Sequence, residues 1–155
     1  MATVEVTFTP LPAHVRTARL VATAVARRSG VDEALLDEVR LAVGEACSRA
    51  VEAHRRHCPA EPVKIEMTDQ GERFVVVVSD QAPTNPARTA GTNGHGISPG
   101  EPAATTALVQ GADDAGIPAG FGLAVISGLA DDVRVSSTSS GVSVRMSWPS
   151  AAPTA

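Results

Sequence analysis

The alternation of hydrophobic and polar residues changes its period early in the chain. Residues 3–8 alternate with a period of two, which is typical of a strand with one buried face, and Pro10 and Pro12 end this strand. A helical spacing follows, and its apolar face carries Val15, Ala18, Ala22 and Val25. Gly30 is the predicted cap at the end of this first helix.

A second and longer helix is predicted directly after the first. Asp32 and Glu33 lie where negative charge favours a helix N-terminus. Pro59 ends the helix at about His57, because proline cannot continue it. The apolar face of this helix carries Leu36, Val39, Val43, Ala46, Ala50 and Ala53.

The remaining regular patterns predict two hairpins and one further helix. Residues 63–67 and 73–80 form the first hairpin, and the four valines at 75–78 indicate a strand that is buried on both faces. Residues 121–129 have the pattern of a helix. Residues 133–137 and 142–148 then form a closing hairpin.

Between these hairpins, residues 83–120 are rich in Pro and Gly and have no sustained periodicity. A segment of this length without regular structure is typical of a lid or of a disordered loop. We therefore expect one domain over residues 1–149 that contains this long loop, with a loose tail at 150–155. The order of elements predicts an α+β fold, a two-layer sandwich in which helices cover one face of a mixed, mostly antiparallel sheet.

The composition excludes several classes of protein. The chain has 155 residues, a net charge of −4 and only 3% aromatic residues, which disfavours direct binding of nucleic acid. It has no apolar stretch long enough to span a membrane and no signal-peptide pattern at its start, so we expect a cytoplasmic protein. The two cysteines, Cys47 and Cys58, are expected to be free thiols.

The second helix also carries a polar face, which includes Glu38, Glu45, Arg49 and Glu52. Glu45 and Arg49 are four residues apart and can therefore form an ion pair. This face is either a solvated surface with an ordinary ion pair or the wall of a pocket into which Glu45 points. Spacing alone leaves both interpretations open.

Other segments have features of ligand sites. Gly120 and Gly122, with Leu123, begin the predicted helix at 121–129, where backbone N–H groups can approach an anion, although a flexible entry to a helix needs the same glycines. Asp80 ends a buried strand, where its carboxylate binds either a ligand or the backbone of an Asx turn.

A metal site is not predicted. His54 and His57 have a ligand-like spacing beside Cys58, but the helix dipole alone favours histidines near a helix C-terminus.

Taken together, these segments resemble a known family. Residues 37–50, with the sequence DEVRLAVGEACSRA, resemble the helix that carries the N box of the GHKL ATP-binding fold. Residues 75–80, then 120–126, then the closing hairpin follow in that family's order. The resemblance covers about residues 3–148, and within this family the chain resembles the small bacterial anti-sigma factors that are also serine-protein kinases.

The resemblance implies roles for individual residues. Glu45 matches the general base, whereas Arg49 stands where relatives have an Asn that coordinates Mg²⁺. Arg has only donors and cannot be a Mg²⁺ ligand, although it can pair with Glu45 or contact phosphate. Asp80 matches the residue that holds the adenine amino group, but Ala82 and Thr84 replace both glycines of that box.

The glycines of the last box, Gly120 and Gly122, are kept, and Leu123 follows them. We therefore expect weak binding of ATP or ADP, a doubtful Mg²⁺ site and a degenerate kinase, because phosphotransfer needs the metal.

The resemblance also implies protein partners. Relatives form homodimers through the first strand and the first helix, and an Arg on that helix binds a sigma factor and a STAS anti-anti-sigma factor. Arg19 matches that Arg and Arg16 is one turn away, unless both are ordinary surface residues. The implied function is an anti-sigma-factor-like regulator in partner switching. The alternatives are an active ATP-dependent serine-protein kinase that phosphorylates the STAS protein, and a scaffold that binds only the STAS protein.

Overall fold

The computed structural model describes residues 2–82 and 125–151. The strands are β1 (Ala2–Phe8), β2 (Val63–Asp69), β3 (Arg73–Ser79), β4 (Asp132–Thr138) and β5 (Gly141–Pro149). The long helices are α1 (Pro12–Arg28) and α2 (Leu36–His57), and a 3₁₀ turn at Glu33–Leu35 leads into α2.

Within this part of the chain the five strands form one sheet in the order β1-β2-β3-β5-β4. Every neighbouring pair is antiparallel, so this sheet contains no parallel pairing. Both predicted hairpins are present, and Gly71, with φ at +87°, forms the turn between β2 and β3. The predicted α+β sandwich with helices on one face is confirmed.

The core lies between the helices and one face of the sheet. Alternate residues of each central strand point into it, and the single Trp, Trp148, is buried there and donates its indole N–H to the Leu129 carbonyl at 3.0 Å. Of the four valines of β3, Val75, Val76 and Val78 are buried and Val77 is half-buried. This burial is more complete than simple alternation gives, because β3 lies in the middle of the sheet.

The two long helices end and begin where the sequence predicts. Gly30, with φ at +87°, ends α1: the Val31 N–H donates to the Ala26 carbonyl at 3.1 Å and the Gly30 N–H to the Arg27 carbonyl at 3.2 Å, which is a Schellman motif. Asp32 caps the following 3₁₀ turn through its side chain. The buried face of α1 includes Ala26, whereas the predicted Val25 is half-buried.

Residues 125–129 are helical, and Ile126 is part of the core. The start of the helix predicted at 121–129, the long loop at 83–120 and most of the tail lie outside the described residues. In residues 2–82 and 125–151, no helix is long and apolar enough to cross a membrane.

Candidate functional site

An ion pair between Arg49 and Asp80 joins the middle of α2 to the end of β3. The Arg49 Nη1 donates to Asp80 Oδ2 at 2.9 Å, and the two side chains are only 12% and 1% exposed. The sequence suggested Glu45 or a phosphate as the partner of Arg49. The pairing with Glu45 is wrong, because the helix turns Arg49 toward the sheet, where the buried carboxylate of Asp80 is within reach.

The Asp80 carboxylate also accepts two backbone N–H groups. Its Oδ1 lies 3.1 Å from the Ala82 nitrogen and 3.1 Å from the Val142 nitrogen. The bond to Ala82, two residues on, is the Asx turn that the sequence left as one of two interpretations. With Arg49, three donors therefore converge on one buried carboxylate, which satisfies most of its hydrogen-bonding capacity.

The bond to Val142 requires a glycine at the start of β5. Gly141 has φ at +152°, and a Cβ at this position would overlap the backbone carbonyl of Asp80. The Asp80 N–H also donates to the Val142 carbonyl at 2.9 Å, so the two backbones are in direct contact. Gly141 thus holds the closing hairpin against the end of β3.

His54 supports the same region from α2. Its ring is fully buried, with Nδ1 2.8 Å from the Glu61 carbonyl oxygen and Nε2 2.8 Å from the Gln81 nitrogen. Because the Gln81 N–H donates to Nε2, Nδ1 is the nitrogen that donates to the Glu61 carbonyl. His54 therefore fixes the backbone directly after Asp80, and both of its ring nitrogens are occupied. His57 is exposed.

Glu45, which matches the general base, is exposed and lies one helical turn before Arg49. Within residues 2–82 and 125–151 it makes no hydrogen bond or ion pair with Arg49 or with any other side chain. Both cysteines are free thiols, and burial raises the pKa of Cys47 to about 12, although the nearby Arg19 guanidinium opposes this shift.

At the position matched to the Mg²⁺ ligand, the chain has the guanidinium of Arg49, which offers no oxygen to a metal. The Asp80 carboxylate, which would receive the adenine amino group, is already bound by Arg49 and by two backbone N–H groups. The Arg49 Nε is buried and has no hydrogen-bond partner among the described residues. Gly120, Gly122, Leu123 and Thr84 lie outside the described residues.

The predicted partner-binding arginines lie on α1, away from this ion pair. Arg16 is exposed and Arg19 is half-buried against α2. The aliphatic stem of Arg19 lies over Gly44, where an added Cβ would be 2.6 Å from the Arg19 Cδ. Among the described residues, neither guanidinium forms an ion pair.

The sequence interpretation missed three residues at these sites. The sequence pattern leaves Gly141 between two strands without a further role, explains His54 as a metal ligand or as a histidine favoured by the helix dipole, and gives Gly44 no role. A glycine inside a predicted helix was a usable signal at Gly44, since glycine there costs stability unless space requires it. No local pattern indicates that His54 contacts Gln81, because the two are 27 residues apart.

Comparison with known proteins gives a family and a fold. The family model for the histidine kinase-like ATPase domain matches residues 8–148. A crystal structure of the RsbU and RsbW domains of Rv1364c from Mycobacterium tuberculosis matches 99% of the chain with a TM-score of 0.60 and 15% identity. The chain spans about a third of the length of that protein chain, 35%. No curated protein matches the chain.

Proposed function

Because the chain belongs to the histidine kinase-like ATPase (GHKL) family, we propose that it is an anti-sigma-factor-like regulator in which an internal ion pair occupies the nucleotide site. The observation that carries this proposal is the contact between Arg49 and Asp80, at 2.9 Å and almost fully buried. A carboxylate that is bound by an internal arginine is not free to receive an adenine amino group. The same arginine replaces the metal ligand, so the transfer of a phosphoryl group loses its charge neutralisation.

The regulatory half of the proposal rests on the arginines of α1. Arg16 and Arg19 carry unpaired positive charge on a chain whose net charge is −4. Such a surface suits an acidic protein surface, and electrostatic complementarity of this kind favours specific association. We assign to it two alternating partners, a sigma factor and a STAS anti-anti-sigma factor, and place the exchange in the cytoplasm.

We further propose a homodimer that forms through β1 and α1. Among the described residues β1 is an edge strand, and one side of its backbone is unpaired in their sheet. Val4 on this strand and Leu11 just before α1 are among the few large hydrophobic residues that are exposed, at 38% and 48%. Exposed apolar side chains beside an open sheet edge are suited to association with a second copy.

Calorimetric titration with Mg²⁺-ATP tests the nucleotide half of the proposal. We expect no metal-dependent heat of binding in the wild type. The Arg49→Asn variant removes the internal pair and supplies an amide oxygen, so it gains Mg²⁺-dependent binding if Ala82 and Thr84 leave room for the base. Arg40→Asn, which changes a surface arginine of the same helix, is the matched control and gains nothing.

Tight binding of Mg²⁺-ATP by the wild type, together with phosphorylation of a serine in a STAS protein, would favour the active kinase instead.

The regulatory half of the proposal is tested separately by co-purification with sigma factors and STAS proteins of the source genome. We expect both to be retained, each in competition with the other. Retention of the STAS protein alone indicates the scaffold, and retention of neither refutes the assignment.

A further inference from the structure

Gly44 is a buried glycine in the interior of α2. The buried face of α1 consists largely of alanine, including Ala18 and Ala22, whereas the buried face of α2 mixes small and large residues. Glycine inside a helix is less favourable than alanine, so its presence here needs a reason beyond helix formation.

The space beside Gly44 is occupied by the side chain of Arg19. A Cβ on residue 44 would lie 2.6 Å from the Arg19 Cδ and 3.2 Å from its Cγ. The stem of Arg19 therefore lies against the bare backbone of α2. Gly128 is a contrast, because nothing lies within 4 Å of a Cβ added there.

The guanidinium at the end of this stem carries a charge that no described carboxylate neutralises. Its Nε would lie 3.4 Å from a Cβ on residue 44, which places it beside α2. Leu20, next to it on α1, is 59% exposed. Leu41, three residues before Gly44 and so on the same side of α2, is 48% exposed.

We propose that Gly44 is a positioning residue for Arg19: it lets the stem lie on α2 and so holds the guanidinium beside this helix, where it binds an acidic side chain of a protein partner. This inference rests on the proposed function, because the partner is the acidic protein that the regulator holds. An arginine whose stem is already ordered loses less conformational entropy on binding than a free surface arginine. Leu20 and Leu41, which are exposed on the same two helices, offer apolar area to such a partner.

Nuclear magnetic resonance tests the positioning without a partner. In ¹⁵N-labelled wild type we expect the Arg19 Nε–H, assigned by its loss in Arg19→Lys, to show the heteronuclear Overhauser effect of an ordered group. Gly44→Ala displaces the stem and makes this group mobile, whereas the control Gly128→Ala leaves it ordered. An Arg19 signal that stays equally ordered in Gly44→Ala overturns the positioning role.

A double-mutant cycle tests the role in binding, with purified sigma factor or STAS protein from the source genome as the probe. Gly44→Ala is expected to weaken binding about tenfold, and Arg19→Ala at least as much. The double variant should bind no more weakly than Arg19→Ala alone, because no arginine remains to be displaced.

An effect of Gly44→Ala that persists in the Arg19→Ala background shows that this substitution acts through the fold and overturns the proposal. If neither protein binds the wild type, the proposed function and the partner role fail together, while the resonance experiment still decides the positioning.

Discussion

At the scale of single residues, the ion pair of Arg49 and Asp80 affects the stability of the fold as well as the chemistry of the site. Both charges have been taken out of water, and each depends on the other for compensation. The two backbone N–H groups that donate to Asp80 partly stabilise its negative charge, but they carry no full positive charge. Removal of the arginine therefore leaves a buried carboxylate with only partial compensation.

Arg49→Met tests this cost, since methionine keeps most of the apolar stem. We expect the free energy of unfolding to fall by about 3 kcal/mol, the lower end of the range for breaking a buried pair. Arg40→Met is the matched control, because Arg40 pairs with Asp37 at 2.7 Å on the exposed side of the same helix and should cost under about 1 kcal/mol. Denaturation by urea measures both, and equal losses would show that the buried pair has no special weight.

The thiol of Cys47 makes stability depend on pH in a direction that can be worked out. Burial raises its pKa from 9.0 to about 12 in the folded chain. Above pH 9 the unfolded chain releases this proton and the folded chain keeps it, so stability falls as pH rises toward 12. The expected slope is about 1.4 kcal/mol per pH unit in this window.

Urea denaturation between pH 8 and pH 10.5 measures this slope. Cys47→Ala is the control, and its free energy of unfolding should fall less steeply by the contribution of one thiol. Cys58 is the second free thiol, but it lies near the surface at the end of α2, so its own contribution remains in both proteins. Equal slopes in the two proteins would refute the assignment to Cys47.

At the scale of elements, two glycine turns have different physical requirements. Gly71 between β2 and β3 needs only its positive φ, because nothing lies within 4 Å of an added Cβ. Gly141 before β5 needs both its positive φ and the absence of a Cβ, which would overlap Asp80. The closing hairpin is therefore more sensitive to substitution than the first one.

The paired variants Gly71→Ala and Gly141→Ala measure this difference. Gly71→Ala should cost about 1 kcal/mol, the price of a left-handed backbone for a residue with a Cβ. Gly141→Ala should cost at least about 3 kcal/mol, because the backbone contact between Val142 and Asp80 must also open. Thermal unfolding measures both losses of stability. Similar losses in the two variants would mean that the backbone at the end of β3 can move away from a Cβ at residue 141 at little cost.

Periodicity predicted these elements because each depends on neighbours along the chain. The alternation at 3–8, the stop at Pro59 and the cap at Gly30 are local signals, and the structure confirms all three. The site is different, since Arg49 and Asp80 are 31 residues apart and Asp80 and Val142 are 62 apart. The motif order could indicate which residues meet, but local spacing favoured the wrong partner, Glu45, for Arg49.

At the scale of the whole molecule, α2 connects the two sites to which we assign a function. One is the Arg19 side chain at Gly44, and the other is the buried ion pair of Arg49 with Asp80. Gly44 and Arg49 are five residues apart, which is about 7.5 Å along a helix. The stem of Arg19, the proposed partner-binding residue, thus lies against α2 at Gly44, and the ion pair of Arg49 with Asp80 lies about one and a half turns further along the helix. Because α2 packs on both α1 and the sheet, it connects the proposed partner surface to the ion pair.

The proposed dimer would use the edge of the described sheet at β1, beside α1. Val4 is paired in register with the buried Met67, so its side chain lies on the helix side of β1 yet stays 38% exposed. A charge at this position should block association on the helix side of the edge, because it would place an unpaired ammonium group in the apolar part of the interface. Light scattering after gel filtration should therefore give a dimer for the wild type and a monomer for Val4→Lys. Thr3→Lys places the same charge on the opposite face of β1 and should remain a dimer. A wild type that is monomeric at every concentration, or a Thr3→Lys variant that dissociates as readily as Val4→Lys, contradicts an interface on the helix side.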